Sequence, residues 1–208
     1  MTEETTGFVT YERRGPVAVV TIRRPERMNA IGPPVHEGLV AAWTRFREDD
    51  GALVGVLTGE GPDAFCAGGD LKASFAGEPV ISLDPEERAA HVRGERPGVL
   101  GPSRWTDLHK PTIAAVNGVA YAGGLEWVCW TDLAIADAHA TFGVTCRRWN
   151  IGLADGGTQR GLQRQCLGGK GGLRQARTSN TINIKRLDCR YLPARPRHVA
   201  VTRITECN

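Results

Sequence analysis

The chain has 208 residues, 41% of them hydrophobic and 24% charged, with a net charge of +3. That is enough for one domain with a real core, and the balance is that of an ordinary soluble globular protein. No apolar run is long enough to cross a bilayer, and the acidic, polar start MTEETTGF has neither signal-peptide nor transit-peptide character, so the expected compartment is the cytoplasm.

The stretch FVTYERRGPVAVVTIRRP predicts a hairpin about Gly15-Pro16, with its second strand running from Val17 to Arg23. Pro33-Pro34 then opens VHEGLVAAWTRFREDD, where Val35, Leu39, Val40, Trp43 and Phe46 recur at helical spacing. ALVGVLTGEG predicts a short buried strand ending in a glycine-rich turn. Four prolines interrupt residues 73–104, leaving EERAAHVR as a short helix in a loop. PTIAAVNGVAYAGGLEWVCWTDLAIAD reads as a strand from Thr112 to Val116, a glycine loop, a helix from near Gly124, and a strand from Leu133 to Ala136. Strands alternating with helices predict an α/β architecture. Residues 141–160 read as a loop feeding a glycine-started helix. No sustained period follows Leu162, and no clean internal sequence repeat is visible.

Charge divides the chain. Residues 159–208 hold eleven Lys and Arg against two acids, whereas the first 158 hold fifteen bases against twenty-one acids. The basic residues of the tail are scattered without interleaved aromatics, which argues against a nucleic-acid footprint. The six cysteines form no C-x-x-C pair and read as thiols, and His36, His91, His139 and His198 have no metal-ligand spacing. His109 reads as structural or exposed.

Two loops share a design. In FCAGGDLK (65–72) tiny residues precede an acid and a base; Asp70 either caps the helix that Leu71-Lys72 begins or lies beside a ligand. In NGVAYAGGLE (117–126), Gly123 and Gly124 start a helix, so their N–H groups leave its positive end without intrahelical partners. Two such loops can aim one N–H each at the same oxygen and so form an oxyanion hole. Glu126, one turn into the helix, suits either general acid–base work or a first-turn surface position.

The set RRPERMNA (23–30), AFCAGGDLK (64–72), HKPTIAAVNGVAYAGGLE (109–126), DLAIADAHATFG (132–143) and DGGTQR (155–160) resembles the crotonase superfamily, the enoyl-CoA hydratase/isomerase family, over residues 8 to 160. The resemblance implies a spiral of ββα units that binds an acyl-CoA thioester, with no further cofactor and no metal. It places the oxyanion donors at Gly69 and Gly123 and the acid–base at Glu126. Ala67, Gly68, Asp70, Leu71 and Lys72 would line the substrate, with Lys72 and Arg24 near the CoA phosphates. Arg24 read from the residues alone is a solvated strand end. The family also suggests a homotrimer or hexamer.

Two departures qualify that picture. Where hydratases of the family carry a second glutamate, this chain has Cys146, followed by Arg147 and Arg148. A neutral thiol is a poor replacement for a carboxylate. Asp155 either supplies the missing acid or caps the helix after it, and Cys146 stands as a nucleophile candidate. After TQR, where the resemblance implies a C-terminal helical region, the chain becomes rich in Gly and Arg. That region reads as absent or replaced, through a truncation or a shifted reading frame near residue 160. Residues 1–160 therefore read as the acyl-CoA-binding core and 161–208 as an atypical basic tail for which disorder or a frame shift is an open reading. The expected activity is hydratase-like, with an enoyl-CoA isomerase or an inactive remnant that at most binds CoA esters as alternatives.

Overall fold

The computed structural model describes residues 2–74, 85–93, 95, 97–149, 152, 153, 155–157 and 160, with main chain alone at 174–175, 181–183 and 199–202. The polar start, given no element by its sequence, forms strand β1 (Thr2–Thr6), which pairs antiparallel with β2 (Val9–Arg14). Glu4, Thr5 and Thr6 stay exposed, as suits a sheet edge that must not recruit another chain. The expected hairpin follows: β3 (Val17–Ile22) pairs antiparallel with β2, and Gly15 takes φ +61 in the turn. Alternation in β3 puts Ala18, Val20 and Ile22 fully inside.

Helix α1 (Pro33–Glu48) starts on its two prolines, which fit the first turn because their missing N–H groups would lack partners there anyway. Val35, Leu39, Trp43 and Phe46 face inward as their spacing requires, joined by Ala42, while Val40 is half-buried. Lys110 Nζ donates to the carbonyls of Phe46 (2.9 Å) and Asp49 (2.8 Å), placing a cation at the negative end of the helix.

The rest of the core is a repeat of geometry that the residues do not spell out. Strands β4 (Val54–Gly59), β6 (Thr112–Val116) and β8 (Leu133–Asp137) add in parallel beside β3 to one sheet. Each is followed at once by a shorter strand, β5 (Ala64–Cys66), β7 (Val119–Tyr121) or β9 (Phe142–Gly143), and these pair in parallel in a second sheet. Each pair then leads into helical chain. These are α2 (Leu71–Ser74) and, further on, α3 (Pro85–Arg93); then α4 (Gly123–Trp130); then a 3-10 turn at Thr145–Trp149. One turn of chain thus adds a strand to each sheet and a helical segment outside. This is the spiral of ββα units that the resemblance implies.

Three stretches of the tail join these sheets. Strands β10 (Arg174–Gln175) and β11 (Thr181–Asn183) pair with each other, β11 pairs antiparallel with β9, and β12 (Val199–Thr202) pairs antiparallel with β8. The remainder of 161–208, and with it the expectation of a disordered or frame-shifted tail, lies outside the described residues.

Aromatic packing fixes α4 to α1. Trp43 of α1 stacks on Trp127 of α4 with centroids 6.1 Å apart, and Trp130 meets both edge-on at 5.1 and 5.0 Å. Such pairs add about 0.5–1.5 kcal/mol each beyond the area they bury. Among the described residues no helix is long and apolar enough to cross a membrane, and no group of three or more His, Cys, Asp or Glu is placed to hold a metal ion.

Candidate active site

The first glycine loop is clasped by the segment RRPERMNA. Ala67 N–H donates to the Met28 carbonyl (3.0 Å), Ile31 N–H to Gly68 (2.8 Å), and Asp70 N–H to Ile31 (2.8 Å). Asn29 ties that segment to its neighbours. It is fully buried, takes φ +55, accepts the Arg24 N–H at 2.9 Å and donates to the carbonyls of Glu60 (3.0 Å) and Ala64 (2.7 Å). Its signal in the sequence was the residue type, since asparagine tolerates the left-handed region and brings both a donor and an acceptor.

Asp70 caps α2 as the helix-start reading proposes: its Oδ1 accepts from Lys72 N–H (3.1 Å) and Ala73 N–H (3.4 Å). Its Oδ2 pairs with Arg24 Nη1 at 2.8 Å. Burial pushes this carboxyl up, but the Ala73 N–H, the Arg24 guanidinium and the Lys72 N–H together hold it below the ordinary aspartate range. Arg24 is therefore not a solvated strand end. Its guanidinium is largely buried, also reaches the Ala30 carbonyl (3.2 Å), and lies 5.6 Å over the Phe8 ring. Lys72 is exposed.

The two glycine loops meet. Gly68 takes φ +97, and a Cβ built on it would stand 2.8 Å from the Gly123 nitrogen. Gly124 packs so closely on the end of β5 that an added Cβ would collide with the Cys66 carbonyl oxygen. Ala122, just before α4, holds φ 47 and ψ −115, a conformation rare for a residue with a side chain. The N–H groups of Gly69 and Gly123 donate to no acceptor among the described residues. Leu100 packs near both: a Cβ on Gly69 would lie 4.0 Å from its Cδ2, and one on Gly123 2.9 Å from the same atom.

Glu126 is 3% exposed, so the first-turn surface alternative does not hold. Its Oε1 accepts two main-chain N–H bonds, from Asp155 and Gly157, each 2.9 Å long. Burial is the main reason its carboxyl is raised to about 7, and the Asp155 charge adds to it. The Gly157 and Asp155 N–H groups and the Arg160 guanidinium pull the other way. A carboxyl poised near neutrality can both take and return a proton.

Asp155 is tied to a distant turn, at 98–103. The Gly157 N–H, which a helix cap at Asp155 would engage, goes to Glu126 instead. The Asp155 carboxylate accepts from Val99 N–H (3.1 Å), Leu100 N–H (2.7 Å) and the Ser103 hydroxyl (2.6 Å). Arg160 Nη1 donates to the Ser103 carbonyl and, at 3.5 Å, to that of Asp155. The sequence alone gives the turn at 98–103 no role, because the bonds that join it to Asp155 and Arg160 are made across more than fifty residues. Cys146 is a buried thiol in the 3-10 turn after β9, and Cys66 and Cys129 are also buried thiols. Burial raises the Cys66 thiol to about 12. Arg148 is exposed, and the side chain of Arg147 lies outside the described residues.

Comparison with solved structures assigns this architecture to the crotonase fold. A carnitinyl-CoA dehydratase from Mycobacterium avium superposes with a TM-score of 0.65 at 36% identity, covering 77% of this chain and 59% of that one. The family model for enoyl-CoA hydratase/isomerase matches residues 12–176, and the chain belongs to that family. It is 39% identical over 137 residues to the (E)-benzylidenesuccinyl-CoA hydratase of Thauera aromatica, covering 66% of this chain and 50% of the relative. It is 37% identical over 146 residues to an enoyl-CoA hydratase of Mycobacterium tuberculosis, with 67% and 50% covered. The chain thus spans about half the length of these relatives.

Proposed function

We propose that the protein acts on 2-enoyl-CoA thioesters as a hydratase in which Glu126 is the single acid–base. The observation that carries this reading is the Glu126 carboxyl: nearly inaccessible, fixed at one oxygen by two N–H groups, and raised to about 7. Gly69 and Gly123 supply the N–H groups that receive the thioester oxygen. The open donors and the contact between their loops support that role. One such donor is typically worth about 3–4 kcal/mol of barrier lowering.

In this scheme the Glu126 carboxylate takes a proton from water as the water oxygen bonds to C3 of the enoyl group. The C2–C3 π electrons move towards the thioester, and the enolate charge collects on its oxygen between the two N–H groups. Glu126 then returns the proton to C2, so one water is added across the double bond. Ala67, Gly68 and residues 70–72 border the first donor, and the exposed Lys72 suits a CoA phosphate. Arg24 acts here through Asp70, holding the start of α2.

Cys146 in place of a second carboxylate favours one other reading, an enoyl-CoA isomerase in which Glu126 moves a proton from C2 to C4 of a 3-enoyl thioester. Near-ultraviolet absorbance separates the two. Hydration of a short 2-enoyl-CoA removes the conjugated band, whereas isomerisation of a 3-enoyl-CoA creates it. Each signal must vanish with Glu126→Gln. Loss of the band from a 2-enoyl-CoA that persists in that variant refutes the role given to Glu126.

A further inference from the structure

The scheme above gives Asp155 no proton to move, yet this carboxylate has no solvent exposure and three donors. All three come from one short turn: the N–H groups of Val99 and Leu100 and the hydroxyl of Ser103. The Asp155 main-chain N–H donates to Glu126 Oε1 at 2.9 Å. One residue is therefore bonded through its side chain to the turn and through its main chain to the acid–base group.

That turn matters because of what it carries. Leu100 stands against both donor glycines, 4.0 Å from a Cβ on Gly69 and 2.9 Å from one on Gly123. His36 Nε2 lies 3.0 Å from the Gly98 carbonyl oxygen and holds the turn to α1. Arg160 spans from the turn to the same strap of chain through the Ser103 and Asp155 carbonyls. We infer that Asp155 is a positioning residue, which sets the Glu126 carboxylate and the wall behind Gly69 and Gly123 as one piece. The inference rests on the roles given above to Glu126 and the two glycines.

The physical reason is the anchoring of main chain. Residues 155–157 present the two N–H groups that fix Glu126 Oε1, and the Asp155 side chain is what ties them to the turn. Without that carboxylate the Val99 and Leu100 N–H groups lose a charged acceptor in a buried place, so the turn must move to satisfy them. A displacement of about 1 Å at a reacting group costs on the order of 100-fold in rate.

The test compares wild type, Asp155→Ala, Asp155→Asn and Glu126→Gln in two assays. One measures kcat and KM for hydration of a short 2-enoyl-CoA. The other measures the enolate absorbance of bound acetoacetyl-CoA, which needs the two N–H donors but no addition of water. Asp155→Ala is expected to lower kcat by about 10- to 100-fold with KM within about threefold, and to weaken the enolate band. Asp155→Asn keeps one acceptor oxygen, which can still serve the Leu100 N–H and the Ser103 hydroxyl, but turns an NH2 towards the Val99 N–H, and is expected to recover part of both. An alanine variant with unchanged kcat and band overturns the inference. So does a loss wholly accounted for by a smaller folded fraction in circular dichroism, or an asparagine variant that folds but recovers nothing. If wild type hydrates no 2-enoyl-CoA, the reaction assigned above falls while the enolate band still decides. A band lost in the alanine variant and regained in the asparagine variant keeps the positioning role. A band unchanged in the alanine variant, or absent in wild type, removes it.

Discussion

Gly157 sits directly against Glu126. Its N–H donates to Oε1 at 2.9 Å, and a Cβ added to it would stand 2.9 Å from that same oxygen and closer still to Cγ. The residue that orients the carboxyl thus leaves no room for a side chain of its own. Gly157→Ala should push Glu126 aside, break one of its two N–H bonds and lower turnover by at least about 10-fold, for a stability cost of about 1–3 kcal/mol. Losing an N–H that favours the charged form should also move the acid–base limb of the pH–rate profile upward. Steady-state rates over a pH series, with unfolding curves for both proteins, check both effects.

Glu126 predicts a pH dependence with a definite sign. Its folded value is about 7 against an ordinary 4.5, so the folded protein holds this proton more tightly than the unfolded chain does. The stabilisation from this group is complete below pH 4.5 and is lost as the pH rises through 7. At 1.36 kcal/mol per pH unit the loss amounts to about 3 kcal/mol at most. Glu126→Gln removes the titration. The stability of wild type relative to this variant, measured by urea unfolding, should therefore fall between pH 5 and pH 8. In the proposed scheme the carboxylate is the base, so the rate behaves oppositely: kcat/KM should rise with pH through about 7, and the variant should lose about 10²–10⁴ in rate.

Local chemistry made much of this legible in the sequence. The β2–β3 hairpin, α1 on its two prolines and the cap of Asp70 on α2 each depend on neighbours a few residues apart. The β5, β7 and β9 strands were not legible, because strands of two or three residues carry no period and form only through partners in the next turn of the spiral. The repeat was hidden likewise, since each turn keeps the path of the chain and not its residues. Glu126 stood out by its place after Gly123-Gly124, but its burial did not, being set by residues 155–157. The partners of Asp155 were hidden for a related reason. An acid before two glycines fits a helix cap, and only the folded chain brings Val99, Leu100 and Ser103 to it.

Gly68 offers a test of the contact between the two glycine loops. With φ +97 and the Gly123 nitrogen 2.8 Å from where a Cβ would be, the site rejects alanine both by backbone strain and by collision. The strain alone costs about 1–2 kcal/mol. Gly68→Ala should lower the unfolding free energy by at least that much. In the folded fraction it should also weaken the enolate signal of a bound 3-ketoacyl-CoA, because relief of the clash separates the loops. Gly61 gives the control: it takes φ +82, but the nearest atom to an added Cβ is Pro25 Cβ at 3.5 Å, so Gly61→Ala should cost stability without changing that signal.

Arg24 and Asp70 decide how the first glycine loop responds to acid. The pair is 2.8 Å apart with side chains only 17% and 10% exposed, so water screens it little. Asp70 also caps α2 through Lys72 and Ala73, and its carboxyl is held below the ordinary aspartate range. A depressed value stabilises the fold above the unfolded-state pKa, and the gain is lost as pH falls through the folded one. Removing one partner strands the other charge in a mostly buried place, and Arg24→Ala should cost about 3 kcal/mol near neutral pH. Asp70→Asn keeps an acceptor for the helix cap but loses the ion pair, so its deficit against wild type should shrink as the pH is lowered from 6 towards 3. Urea midpoints across that range measure it. A deficit that stays constant would mean that Asp70 acts here only as a neutral cap and that its ion pair with Arg24 adds no stability.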